Sequence, residues 1–323
     1  MIDERALRAI EASDTDELIR VVDGYAAGRM WEQMAALRKR CDEAVTRGKQ
    51  VWAISEYVRY RFALDGPGEW AGPVVSEGES RFTLGPLPEV AASTKTWRDL
   101  EPHLGPGPHR ALTAHERVVR GEALEEADID PLVMDLPLRL SPWEPSYPLA
   151  TYRSDRVEAP SPPHRSPGVA PLEGGGEAMA PDDGTRALLS VVEHWVETSN
   201  GRAQARCVDG NAGGAVKALG ITRAGLEQVE PQLALAWIAW AAADGGAHGR
   251  RRGAAAGRFN AWWAAGELAG LEWPPDPDEL GEAVAALRWF LWSDGSPDTG
   301  WSLRVAIEAG DGRAWALSAV DAD

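Results

Sequence analysis

Eleven of the chain's 23 prolines fall between residues 131 and 181. Proline removes an amide donor and fixes φ, so this stretch forms neither a long helix nor a central strand. It therefore divides the 323 residues into a first folded part (1–130), a linker (131–183) and a second folded part (184–323). The length suffices for two ordinary domains. Within the linker, Leu136 to Tyr152 carries well-spaced apolar and aromatic residues and is expected to lie as an ordered strap across a domain surface. Ala159 to Asp183 combines proline, serine and Gly174 to Gly176 with almost no large apolar side chains. Disorder is the expectation there.

The first part has helical periodicity. Asp14 or Thr15 can cap a helix whose Leu18, Ile19, Val22 and Tyr25 form one stripe, and Gly28 stops it. Trp31, Met34, Leu37, Cys41 and Val45 continue at 3.6-residue spacing, and Trp52, Ile54, Tyr57, Val58, Arg61 and Leu64 mark a third helix before Gly66 and Pro67. Short connections make such helices antiparallel neighbours, in an irregular helical bundle or a short HEAT-like α-solenoid. In the second part, Leu233 to Ala243 is apolar on every face, a buried helix. A helix from about Gly249 to Leu268 follows, then one from Asp276 to Trp292 with Leu280, Val284, Leu287 and Leu291 on one stripe. Trp301 to Ile307 and Ala314 to Val320 alternate around Asp311 and Gly312, a β-hairpin pattern to which Arg202 to Val208 can add a strand. The expected fold class is thus mainly α, with a C-terminal helix-dominated α+β domain ending in a β-hairpin.

A formal charge of −17 opposes binding to phosphate backbones, so no nucleic-acid partner is expected. Acids at Asp3 and Glu4 stand where a secretory signal would be basic, and no apolar run reaches the roughly 20 residues of a membrane span. A cytoplasmic protein without a membrane partner is the expectation. Two distant cysteines, Cys41 and Cys207, exclude a disulfide framework or a cysteine-ligated zinc site.

The chemistry-bearing segment is GGAHGRRRGAAAGRFNAWW, residues 245–263. Gly249, Gly253 and Gly257 recur every four residues, which on a helix makes a bare face for close packing. Arg250, Arg251 and Arg252 gather where a helix N-terminus is already positive, so each cation is disfavoured there by roughly 0.3–1 kcal/mol. Internal acids neutralise them, or an anion or acidic partner does. His248, Arg250, Arg251, Arg252 and Arg258 are therefore the candidate anion- or partner-binding residues. Cys207 to Lys217 resembles a strand, glycine-rich turn and helix start, but lacks the spacing of a phosphate-binding loop. His115 and Glu116 open like a zincin motif, and Val119 stands where the second histidine would be. The histidines at 103, 109, 115, 164, 194 and 248 read as structural. No catalytic residue, metal or cofactor is assigned.

Residues 245–263, together with the closing run RWFLWSDGSPDTGWSLRVAIEAGDGRAWALSAVDAD, resemble conserved-hypothetical proteins of high-GC bacteria. That resemblance, carried by the C-terminal 140 residues, implies no activity and no site residues. The acidic surface and proline-rich tether suit a non-enzymatic adaptor or scaffold with a protein partner. The alternative is an enzyme or ligand-binding protein whose anionic small molecule docks at Arg250–Arg252, with His248 near for proton transfer.

Overall fold

The computed structural model describes residues 3–78, 82–124, 127–297 and 300–322. The first two residues of the acidic opening and Asp298 of the closing run lie outside them. The chain divides into two compact units that interleave along the sequence. One comprises Met1–Arg117, Glu126–Val133 and Ala150–Glu158; the other comprises Val118–Glu125, Met134–Leu149 and Ala159–Asp323.

The N-terminal unit is built of helices: α1 (Glu4–Ala12), α2 (Thr15–Ala27), α3 (Trp31–Thr46), α4 (Trp52–Asp65), α5 (Gly68–Ser76), α6 (Leu87–Thr94), α7 (Trp97–Leu100) and α8 (Pro108–Val118). Aspartates start the first two, because a carboxylate oxygen satisfies amides that have no helical partner. Asp3 accepts from the Ala6 amide at 2.7 Å, and Asp14 from that of Glu17 at 3.0 Å. Leu18, Val22, Leu37, Cys41, Ile54 and Val58 meet in the core. A small hairpin, β1 (Thr151–Tyr152) and β2 (Val157–Glu158), joins this unit. The Tyr152 hydroxyl donates to buried Glu89 at 2.6 Å.

The C-terminal unit corrects the expected fold class. At 47% helix and 15% strand the protein is not mainly α, and this unit is organised on a curled seven-stranded antiparallel sheet, not on helices with a terminal hairpin. Its strands are β3 (Ala170–Pro171), β4 (Gly176–Ala178), β5 (Arg202–Gly210), β6 (Arg223–Val229), β7 (Arg288–Ser293), β8 (Trp301–Glu308) and β9 (Arg313–Asp321). Their order is β3-β6-β7-β8-β9-β5-β4. The hairpin β8–β9 is the middle of this sheet, with Ile307 opposite Trp315 and Val305 opposite Leu317. The unit's helices are α9 (Asp183–Val191), α10 (Glu193–Thr198), α11 (Ala212–Ala218), α12 (Pro231–Ala243), α13 (Ala254–Ala269) and α14 (Pro277–Ala286).

Both faces of the sheet are covered, which is why its sequence signal is weak. A strand's side chains alternate between faces. On one face Trp289, Leu291, Leu303, Val305, Ile307, Trp315 and Leu317 pack against α9, α12 and α13. On the other, Phe290, Trp292, Ala306, Ala314 and Ala316 pack with Ala212, Ala215 and Val216 of α11. β7 is consequently apolar at consecutive positions, as doubly covered strands are. Its Leu291 falls by coincidence on the helical stripe of α14, so the pattern runs across a helix-to-strand junction at Leu287.

The glycine stripe before α13 is also not a helix face. Gly249 and Gly253 lie in the loop that precedes the helix, and Gly253 has φ +103°, a conformation that excludes most side chains. Only Gly257 lies within α13, against α12, where a Cβ would sit 2.3 Å from the Ala239 carbonyl oxygen. A Cβ added at Gly266 on the same helix would meet nothing closer than 4.0 Å outside the helix's own backbone. Gly257→Ala should therefore destabilise by about 1–3 kcal/mol through overpacking. Gly266→Ala should stabilise by about 0.5–1 kcal/mol, because alanine loses less backbone freedom in a helix. Urea denaturation of the two variants checks this; equal effects would contradict the packing.

Candidate functional site

The residues singled out by sequence are placed in two different environments. His248, Arg250, Arg251 and Arg252 share the loop between α12 and α13, ahead of the cap residue Gly253. The loop is held at its backbone: the His248 amide donates to Ser199 Oγ at 2.9 Å, and that of Arg252 to the Ala243 carbonyl at 2.8 Å. The Arg251 guanidinium is covered and lies 3.5 Å from the Asp244 carboxylate. Burial, only partly offset by Glu193, lowers the pKa of Arg252 below the ordinary arginine value. Asp244 organises this region, since its second carboxylate oxygen accepts from Trp301 Nε1 at 2.7 Å and its backbone carbonyl accepts from Trp195 Nε1 at 3.0 Å.

Arg258 belongs elsewhere. It is fully buried on α13 and binds the equally buried Glu144 through two nitrogens, at 2.7 and 2.9 Å. It also donates to the carbonyls of Pro137 and Arg139 at 2.8 and 2.9 Å. Glu144 additionally accepts from Tyr147, Trp262 and the Ser141 amide. Every one of these bonds is internal, so Arg258 fastens the strap containing Glu144 to α13.

Other motifs resolve into structure. At the start of α11 the Ala212 amide donates to Glu308 and that of Gly214 to Asn211, while Gly213 and Gly214 let the backbone at Glu173 and Gly175 approach. Burial pushes the Cys41 thiol up to about 12 and the Cys207 thiol up to about 11, so neither is a ready nucleophile. Among the described residues no cluster of His, Cys, Asp or Glu is placed to hold a metal ion.

A cavity not anticipated from sequence lies in the C-terminal unit. β7 and β8 pair from Arg288–Glu308 to Leu291–Val305 and then part. Beyond that point β7 continues along β6 as far as Ser293, and β8 runs along β9 back to Trp301. The fork holds a cavity of about 330 Å³. Trp292 and Ser293 form one lip, and Ser302 and Arg304 the other. Trp237 and Trp240 of α12 and the segment Ser161 to Ser166 close it. Asp294 and Arg304 pair across the fork at 3.3 Å. Burial raises the Asp294 pKa, but hydrogen bonds from Ser296 and the charge of Arg304 outweigh that and lower it overall.

Three residues around this cavity hold buried nitrogens with no hydrogen-bond partner among the described residues: Trp237 Nε1, Arg304 Nε and His164 Nε2. Such unmet donors are uncommon, costing about 1–3 kcal/mol each. The contrast with other indoles in this unit is direct. Trp240 donates to the Ala159 carbonyl, Trp289 to that of Val284, Trp292 to that of Leu317, and Trp315 to Asp182. His164 Nε2 stands 3.9 Å from a Glu227 carboxylate oxygen, too far for a hydrogen bond. One sequence signal pointed here: Arg304 is a cation within a strand flanked by Leu303 and Val305. His164 lay in a stretch with no periodicity, and unmet bonding at Trp237 is not a sequence property.

These features define a helical unit and, alternating with it along the sequence, a unit of helices packed on an antiparallel sheet, with a tryptophan-lined cavity at a fork in that sheet. The chain belongs to the family of unknown function DUF6183, whose model matches residues 16–323. No curated protein and no solved structure matches it. Among the described residues, no helix is long and apolar enough to cross a membrane.

Arg258→Met should cost about 3–5 kcal/mol at neutral pH, because Glu144 is left charged, buried and unpaired. In the wild-type protein burial opposes ionisation of Glu144, yet the Arg258 bonds and charge hold its pKa below the ordinary carboxylate value. Its contribution is therefore complete above the unfolded carboxylate pKa and is lost as pH falls through the lower folded value. Without Arg258 the bonds from Tyr147, Trp262 and Ser141 remain but the compensating charge is gone, so burial weighs more heavily and protonation relieves the penalty. The stability gap between wild type and variant should narrow from pH 7 to pH 4 in urea titrations; a gap independent of pH would contradict this account.

Proposed function

We propose that the C-terminal unit binds a small organic molecule in the fork cavity, with acceptor atoms of the ligand meeting donors from Trp237, Arg304 and His164. The observation that supports this reading is the set of three unpartnered buried nitrogens around one cavity. A volume of about 330 Å³ falls at the lower end of ligand-site sizes, which begin at about 300 Å³. Its lining mixes tryptophan and proline rings with serine, histidine and arginine side chains, and is more polar than is general for such sites. The reading assigns no catalytic residue.

Placing an anionic ligand at Arg250–Arg252, beside His248, is a second location for the same class of function. Exposure of His248 and Arg250 on one loop favours it, while the neighbouring acids Asp244 and Glu193 and the partial burial of the Arg252 guanidinium count against it. An adaptor role with a protein partner draws support from the N-terminal unit. There Trp52 and Phe82 are 40% and 61% exposed, with ring centroids 4.2 Å apart. Unpaired thiols at Cys41 and Cys207 favour a reducing compartment and hence a bacterial cytoplasm. The net charge of −17 argues against nucleic acid.

Trp237→Phe removes one unmet donor and keeps the ring. The variant's melting temperature should equal or exceed that of the wild type, because no native bond is lost. Trp289→Phe, which breaks the bond to Val284, should instead cost about 1 kcal/mol. A thermal-shift screen of small organic metabolites should yield binders whose affinity falls at least about tenfold, or 1.4 kcal/mol, in Trp237→Phe. Binders unaffected by that change but lost in an Arg250→Ala, Arg252→Ala double variant would move the site to the loop.

A further inference from the structure

Resting on the cavity reading above, we propose that the ligand is a compact aromatic monocarboxylate rather than a phosphate ester. The unmet groups of Trp237 and Arg304 are N–H donors, and His164 Nε2 becomes one in the tautomer or charge state that carries a proton there. A ligand matching all three must present acceptor oxygens, and a carboxylate offers two in one plane with room for several bonds. Charge-assisted bonds to a guanidinium are the stronger kind.

The charge around the cavity then sets the ligand's charge. Arg304 is the permanent cation of the wall, and Asp294 sits 3.3 Å from it. His164 has Glu227 at 3.9 Å. Two carboxylates thus face two basic groups. A ligand with one negative charge meets the Arg304 edge that carries the unbonded Nε, whereas a phosphate monoester, close to dianionic at neutral pH, brings a second charge that the carboxylates repel. The side chain of Arg304 is only 10% exposed, so water screens this repulsion weakly.

Size and walls fix the rest of the molecule. Trp240, Trp292 and the rings of Pro162 and Pro163 present flat apolar surfaces, and Trp237 and Trp240 meet edge to face at 5.5 Å. Indoles favour offset or edge contact with another aromatic ring. About 330 Å³ accommodates one ring or a fused pair with its carboxylate. The three nitrogens have almost no accessible surface, toward the cavity as well as toward bulk water, so binding requires side-chain rotation at the cavity wall.

The test is isothermal titration of the full chain with benzoate, indole-3-carboxylate, benzamide and phenyl phosphate. Benzoate or indole-3-carboxylate should bind at least about tenfold more tightly than benzamide and phenyl phosphate, the loss expected for one charge-assisted bond. Arg304→Met should abolish the preference for carboxylate over amide. His164→Gln, a change outside the sheet, should weaken carboxylate binding several-fold and serves if the Arg304 variant does not fold. Benzamide or phenyl phosphate binding as tightly as the carboxylates would overturn the ligand class. If that binding is still weakened by Trp237→Phe, the cavity reading survives. Absence of saturable binding by all four probes would overturn both.

Discussion

The C-terminal unit depends on one buried ion pair. Glu144 and Arg258 have no exposed side-chain surface, and the Arg258 bonds and charge help to keep Glu144 ionised there. Burial alone would disfavour the carboxylate. Their mutual bonds are supplemented by donors from Tyr147, Trp262 and Ser141 and by the carbonyls of Pro137 and Arg139, so the network approaches full satisfaction. Such a network has few alternative arrangements, because any shift strands a charge. It specifies where a proline-rich strap with no ladder of its own must lie. Trp143 packs beside Trp262 and donates to Pro277, which extends the same anchorage to α14.

From that anchorage the cavity follows in steps. The strap holds α13, and α13 fits α12 closely because Gly257 admits the Ala239 carbonyl. α12 carries Trp237 and Trp240, which roof the fork where β7 and β8 part. The sheet opens there because each strand keeps its outer neighbour, β6 or β9, after their mutual pairing ends. A fork of this kind leaves space lined by the ends of two strands, and Arg304 with Asp294 bridges it. The cavity's polar groups therefore come from four separated segments, none of them a motif by itself.

The tryptophans explain both the rigidity of this unit and the visibility of its site. An indole buries a large apolar area yet carries an N–H that needs an acceptor. Trp195 and Trp301 both use Asp244, Trp315 uses Asp182, and Trp240 uses the backbone at Ala159. Against these satisfied indoles, Trp237 Nε1 has no hydrogen-bond partner among the described residues. The arginine-rich loop conveys the opposite lesson. Arg251 is drawn onto Asp244, and Arg258, seven residues further on, is turned into the core by helical phase.

Local order was legible in the sequence wherever one face of an element meets water. The helices read from Leu18 to Leu64, the Asp14 cap, the fully apolar α12 and the β8–β9 hairpin follow from spacing and capping, because an amphipathic or alternating pattern records a single buried side. The strands β6 and β7 and the sheet order were not legible. β7 is covered on both faces and loses its alternation, and its Leu291 continues the phase of a neighbouring helix. Of the candidate residues, the sequence alone marked Arg250 to Arg252 and Arg258 as electrostatically unusual but could not say which carboxylate answers them. Choosing Glu144 for Arg258 across more than a hundred residues, and leaving Trp237 Nε1, Arg304 Nε and His164 Nε2 without a hydrogen-bond partner among the described residues, are outcomes of tertiary packing. Hydrogen-bond satisfaction is a property of atoms brought within 3 Å or so of one another, and only the folded chain determines which atoms those are.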